Sequence, residues 1–127
     1  MGNRCPSESV GKTLKILTKK WYLEILFDLF NGKKHFNEFK KDKPTLLNKT
    51  LARCLQELEE NGFIEKHVDE NDISNTSYSL TREGQLLNGI IYEIIVYSME
   101  SEKTSSYYNE KEKENMKTHF KKILNLP

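Results

Sequence analysis

Between Thr45 and Gln56 the sequence spaces hydroxyl, amide and cationic side chains in a way that suits the edges of base pairs. Stepping about 100° per residue, as a helix does, puts Thr45, Lys49, Ala52, Arg53 and Gln56 on one side. Leu47, Leu51, Cys54, Leu55 and Leu58 fall on the other. Asn48 stands at the margin, in reach of a base or a phosphate. Arg presents a two-pronged donor to guanine, Gln and Asn match adenine, and the small Ala52 permits close approach. Lys33, Lys34, Lys40, Lys41 and Lys43 precede this segment. They suit phosphates, whose neutralisation supplies much of the affinity of a duplex-binding protein. The competing reading is a solvated helix face with solubilising lysines.

Other chemistries are poorly served. His35, His67 and His119 show no metal-ligand spacing, and Cys5 and Cys54 form no CxxC, so no metal and no cofactor are expected. Phosphate loops, dinucleotide fingerprints, nucleophile elbows and HExxH are missing from the sequence, and an enzyme is not expected. Cys54 falls among leucines and reads as an inert core thiol. Cys5 lies beside Arg4 and ahead of the first helix, surroundings that lower a thiol pKa and favour selective reaction with oxidants. Trp21 reads as core.

At 127 residues the chain fits one domain able to fold without staples. Apolar residues are 36% and charged residues 31%, which implies a small core and leaves room for a second subunit to cover apolar area. The net charge is only +1, but residues 1–60 carry +4 and residues 61–127 carry −3. Between Lys12 and Arg53, 11 basic side chains face 4 acidic ones, the mark of a directed anion-binding face. Two cysteines fit a reducing, cytoplasmic setting. No secretory signal is expected, and the oily stretch 89–99 is too short to span a membrane.

Apolar spacing predicts helices over Ser7–Leu17 (capped by Ser7 or Ser9), over the WYLEILFDLF run, over FNEFKK, and over 47–61. Trp21, Ile25, Leu26, Leu29 and Phe30 share a face of the second, and Asn31-Gly32 stops it. Phe63–Val68 reads as a strand, 69–77 as a polar turn, and Tyr78–Leu80 as the return strand. Thr81 is placed to cap one long helix, Arg82–Met99. Leu86, Leu87, Ile90, Ile91, Ile94, Ile95, Val96 and Tyr97 make that helix apolar nearly all round. A small domain covers one face, so Ile90, Ile91, Ile94 and Ile95 are expected to meet a second subunit. A polar connector leads to a last amphipathic helix with Met116, Phe120, Ile123 and Leu124 on one stripe, docking over the same seam.

The layout predicts a mainly α protein with a small β-hairpin (α+β). It is a winged helix-turn-helix domain with extra N- and C-terminal dimerisation helices. The DNA-binding domain and its dimerisation helices are expected over 5–100, with connector and C-terminal helix over 101–127. CP at 5–6, KKW at 19–21, HFNEF at 35–39, NKTLARCLQELEENGFIEK at 48–66 and YSLTREG at 78–84 occur in this order. Over roughly residues 5–100 the chain resembles the HxlR-type winged helix transcription regulators, distant relatives of the MarR group. The resemblance implies a homodimer on an inverted-repeat operator of double-stranded DNA, with a recognition helix in each major groove. It further implies dimer contacts from the first and last helices. In some members the N-terminal cysteine senses oxidants, which makes Cys5 a candidate redox sensor. A small-molecule effector is a further candidate, though no residue cluster identifies it.

Two positions depart from the family. Leu47 stands where a small hydroxyl residue usually opens the recognition helix. Asn75 stands where the wing often carries an Arg suited to a narrow minor groove, beside Asp69, Glu70 and Asp72. Leu47 and the acidic wing favour the rival function, a winged helix used for protein–protein assembly.

Overall fold

The structure is a computed structural model and describes residues 6–127. Cys5 lies outside the described residues. The chain runs α1 (Ser7–Leu17), α2 (Tyr22–Phe30), α3 (Phe36–Lys40), α4 (Asn48–Glu60), β1 (Ile64–His67) and β2 (Ser77–Leu80). It continues through α5 (Arg82–Gln85), α6 (Asn88–Glu100) and α7 (Glu110–Ile123). Single 3₁₀ turns sit at Ile73–Asn75 and Ser105–Tyr107. This is the expected mainly helical winged helix with one antiparallel hairpin.

The core lies where α2, α3 and α4 converge. Tyr22, Ile25 and Leu26 of α2 meet Phe39 of α3, Leu51, Leu55 and Leu58 of α4, Ile64 of β1, and Ile91 and Tyr92 of α6. Sealing each such leucine from water is worth about 1.5–3 kcal/mol. Asn31 and Gly32 (φ +92°) close α2, and Asn61 and Gly62 (φ +82°) close α4, as their types imply. The strands pair Ile64 with Leu80 through His67 with Ser77.

Four local expectations change. The cap of α1 is Pro6; Ser9 instead donates its hydroxyl to the Pro6 carbonyl at 3.0 Å. Leu46, not Leu47, fills the core ahead of α4: Leu47 is the N-cap residue in extended geometry and remains 66% exposed. The extended φ/ψ turns Leu47 off the helical stripe and swings its neighbour inward. Trp21 packs against the core as expected but is only half-buried, with left-handed backbone (φ 77°) that a bulky side chain rarely adopts. Finally, the single helix over Arg82–Met99 is broken at Leu86–Leu87 into α5 and α6. Thr81 does cap α5, accepting from the Gly84 amide at 3.2 Å. The chain then tightens, the Leu87 amide donating to the Gly84 carbonyl three residues back. Gly84 is wedged against the Phe63 carbonyl, and Gly89 adds a weak helix former just past the break.

The last helix forms as its pattern predicts. Asn109 and Glu112 make a reciprocal capping box, and Leu124 at its end is fully buried. The Asn88 side-chain amide donates to the Leu124 carbonyl at 2.8 Å, and Phe120 meets Phe27 with ring centroids 5.6 Å apart. Thus α7 folds back over α2 and α6.

Candidate nucleic-acid interface

Burial sorts the two faces of α4. Leu51, Cys54, Leu55 and Leu58 are buried, while Asn48, Lys49, Ala52, Arg53 and Gln56 are exposed. The orientation is held from behind: the Tyr22 hydroxyl, pushed well above its usual pKa by burial and by the Glu57 carboxylate, donates to Glu57. The Cys54 thiol lies 3.8 Å from the Lys20 carbonyl, and burial raises its pKa, which suppresses the reactive thiolate.

On the outer face Lys49 and Arg53 have no salt-bridge partner among the described residues. Gln56 donates to Glu60 one turn on, at 3.2 Å, a contact it must leave to reach a base. No side chain caps the start of α4 and no acid stands in its first turn, so the positive end of its dipole is unneutralised. Lys40 reaches this end and donates to Asn48, and exposed Thr45 lies in the turn just before it.

The lysines divide into two groups. Asp28, buried on α2, takes a hydrogen bond from Lys43 and has the Lys33 ammonium 3.4 Å from its other oxygen. Lys43 and Lys33 are consequently 12% and 24% exposed, and their charge is largely compensated. Lys34 and Lys41 are exposed and in no salt bridge among the described residues. Asp28 is the functional residue that sequence reasoning missed; its signal was an acid flanked by Phe27 and Leu29 on an apolar helix, just ahead of a lysine-rich turn.

The wing is tied to this turn. The Tyr78 amide donates to the Lys34 carbonyl at 2.8 Å, and the His35 ring donates to the Thr76 carbonyl at 3.1 Å. His35, which showed no metal-ligand spacing, thus joins the start of α3 to the hairpin. At the wing tip the acids build the turn. Asp69 accepts from the Asn71 amide at 2.9 Å and from the Asn75 side chain at 3.3 Å, and these bonds hold its carboxyl below the usual range. Asp72 accepts from the Ser74 amide. Asn75 is therefore engaged within the wing.

On α6, Ile90 and Ile94 are 43% and 46% exposed and Ile95 is half-buried. Ile91 is turned into the chain's own core, so it is unavailable to a partner. Val10 and Leu14 of α1 form a second exposed apolar stripe. Among the described residues no cluster of His, Cys, Asp and Glu is placed to hold a metal, and no helix is long and apolar enough to cross a membrane.

The HxlR-like helix-turn-helix family model matches residues 16–106. The chain belongs to that family. YdeP of Bacillus subtilis (strain 168), named an uncharacterized HTH-type transcriptional regulator, is 39% identical over 87 residues, or 68% of this chain and 66% of YdeP. The HTH-type transcriptional regulator YodB of the same organism is 33% identical over 95 residues, 74% of this chain and 83% of its own. The solved reduced form of YodB superposes with a TM-score of 0.61 at 28% identity, over 77% of this chain and 94% of that one. The redox regulator HypR in its reduced form gives 0.70 at 28%, over 79% and 99%. The chain is thus an HxlR-like member of a family of transcriptional regulators, not of an enzyme family.

Proposed function

We propose that the chain is a dimeric, sequence-specific DNA-binding transcription regulator of the cytoplasm that places α4 in the major groove of an inverted-repeat operator. The observation that carries this is the outer face of α4, where exposed Lys49, Arg53 and Gln56 flank a small Ala52 above a leucine-lined inner face. Arg53 reads a guanine edge, Gln56 and Asn48 read adenine, and Lys49 and Thr45 hold the backbone. Lys34, Lys40 and Lys41 contact phosphate, while Lys33 and Lys43 shape the turn by neutralising Asp28. Asn75 contributes to wing geometry rather than to readout. Ile90, with Val10 and Leu14 of α1, forms the subunit seam with Ile94 at its edge, while half-buried Ile95 faces the α2 and α7 side of α6 instead.

Selection of bound sites from random duplex, with salt titration, tests the reading. The expected result is a dyad-symmetric site. Binding of all sequences alike would favour a protein-assembly role, the reading that the exposed Leu47 and the acidic wing support. Cys5 is the proposed oxidant-responsive residue. Support comes from HypR, a redox regulator solved in reduced and oxidised forms, and from YodB, solved with quinone bound.

A further inference from the structure

Because α7 folds back beside α6, the two flank an open cavity of about 440 Å³ that also borders α2. That volume lies within the range of small-molecule sites, roughly 300–1,000 Å³. Phe27, Met99, Tyr108, Met116 and Phe120 line it, together with isoleucines of α6. Tyr108, Met116 and Phe120 all lie beyond residue 106, where the family match ends, so this chain's own C-terminal segment builds one wall.

The charge of the lining is one-sided. Glu24 is the one charged residue on it, and Lys, Arg and His are all absent from it. Glu24 is exposed and enters no salt bridge among the described residues. Ser98, the other polar residue on α6 there, already donates its hydroxyl to the Ile94 carbonyl at 2.8 Å. Aromatic faces carry negative potential and attract cations, and thioethers are soft and adaptable partners for apolar ligands. Glu24 also borders the neighbouring groove of Lys33, Lys41 and Lys43, but no cation stands on the cavity's own lining, where an apolar anion would meet the carboxylate.

We propose that the cavity between α2, α6 and α7 is a binding site for a small lipophilic cation, held by its aromatic and methionine walls and neutralised by Glu24. The site stands on the cavity alone and does not depend on duplex binding. Calorimetric titration of the full chain with tetraphenylphosphonium and with tetraphenylborate, an anion of the same shape, tests it. The phosphonium is expected to bind once per chain, and the borate at least about tenfold more weakly. Glu24→Gln, an exposed position that leaves the fold intact, should weaken phosphonium binding about tenfold, and Met116→Ala should weaken it by a smaller factor. Light scattering should show the same assembly with and without phosphonium. Equal affinity for the two ions, or unchanged phosphonium affinity in Glu24→Gln, would overturn the proposal. So would separation of subunits on adding phosphonium, since the cavity would then be the seat of a second copy.

Discussion

Single side chains on this molecule carry distinct and separable tasks. Arg53 is exposed, in no salt bridge among the described residues and on the outer face of α4, so Arg53→Ala should relax preference at one base position and cost about 1–3 kcal/mol of binding. Lys41→Ala should weaken all sequences about equally. Affinity and site preference measured side by side tell the two apart, and an unaltered Arg53→Ala would mean that α4 faces elsewhere. Asp28 has a different task. Asp28→Ala leaves Lys43 and Lys33 facing each other in a half-buried turn, and urea unfolding should show a loss of about 2–3 kcal/mol, less than for a fully sealed pair. The carboxyls of Glu38 and Asp69 are held below their usual range, chiefly by backbone amides. A depressed carboxyl stabilises the fold above the unfolded-chain value of about 4 and loses that contribution as pH falls through the lower folded value. Carboxyl NMR titration should therefore find both midpoints below those of free side chains, with α3 and the wing tip loosening only beneath them.

At the level of elements, what could be read from the sequence depended on whether a local rule had a competitor. The helices α1, α2, α3 and α4, the hairpin and α7 follow from apolar spacing and from Asn-Gly stops, because burial and backbone preference agree there. Leu47 was misassigned because helical stepping assumes a helix from its first residue, whereas the extended cap residue breaks the phase. The break between α5 and α6 was hidden because the apolar run continues through it. It coincides with a close approach of the Gly84 backbone to the Phe63 carbonyl, far apart in sequence, which only a glycine permits. The outer face of α4 was legible; the compensation of Lys33 and Lys43 was not, since it needs Asp28 brought across the turn. Gly84→Ala would set a methyl group on that carbonyl and should cost about 1–3 kcal/mol by calorimetric melting, through overpacking. Thr81→Ala should cost about 1 kcal/mol through its lost cap and the lost bond to the Gly62 carbonyl.

For the whole molecule the question is what covers the apolar surface that one chain leaves open. Val10 and Leu14 on α1 and Ile90, Ile94 and Tyr97 on α6 are exposed in the single chain. Light scattering at micromolar concentration should return twice 14.9 kDa, and Ile90→Asp should return the single-chain mass without unfolding it. Half-sites should then lie about 10 bp apart, centre to centre, or a multiple of this. Oxidation offers a second test at this scale. A mild oxidant should change operator affinity in the parent chain and in Cys54→Ser but not in Cys5→Ser, because burial keeps the Cys54 thiol protonated and enclosed.

Trp21 is the one tryptophan of the chain, and its strained, half-buried position gives it an optical use. It shares a groove with Lys41, Lys43 and Thr45, at the edge of the surface assigned to DNA, and the Lys20 ammonium rests 5.4 Å from its ring. Indole fluorescence shifts with local polarity and with nearby charge. Excited at the red edge of its absorption, the unmodified protein should change emission when duplex phosphates approach Lys41. Emission from this one indole would then follow operator binding without any attached dye.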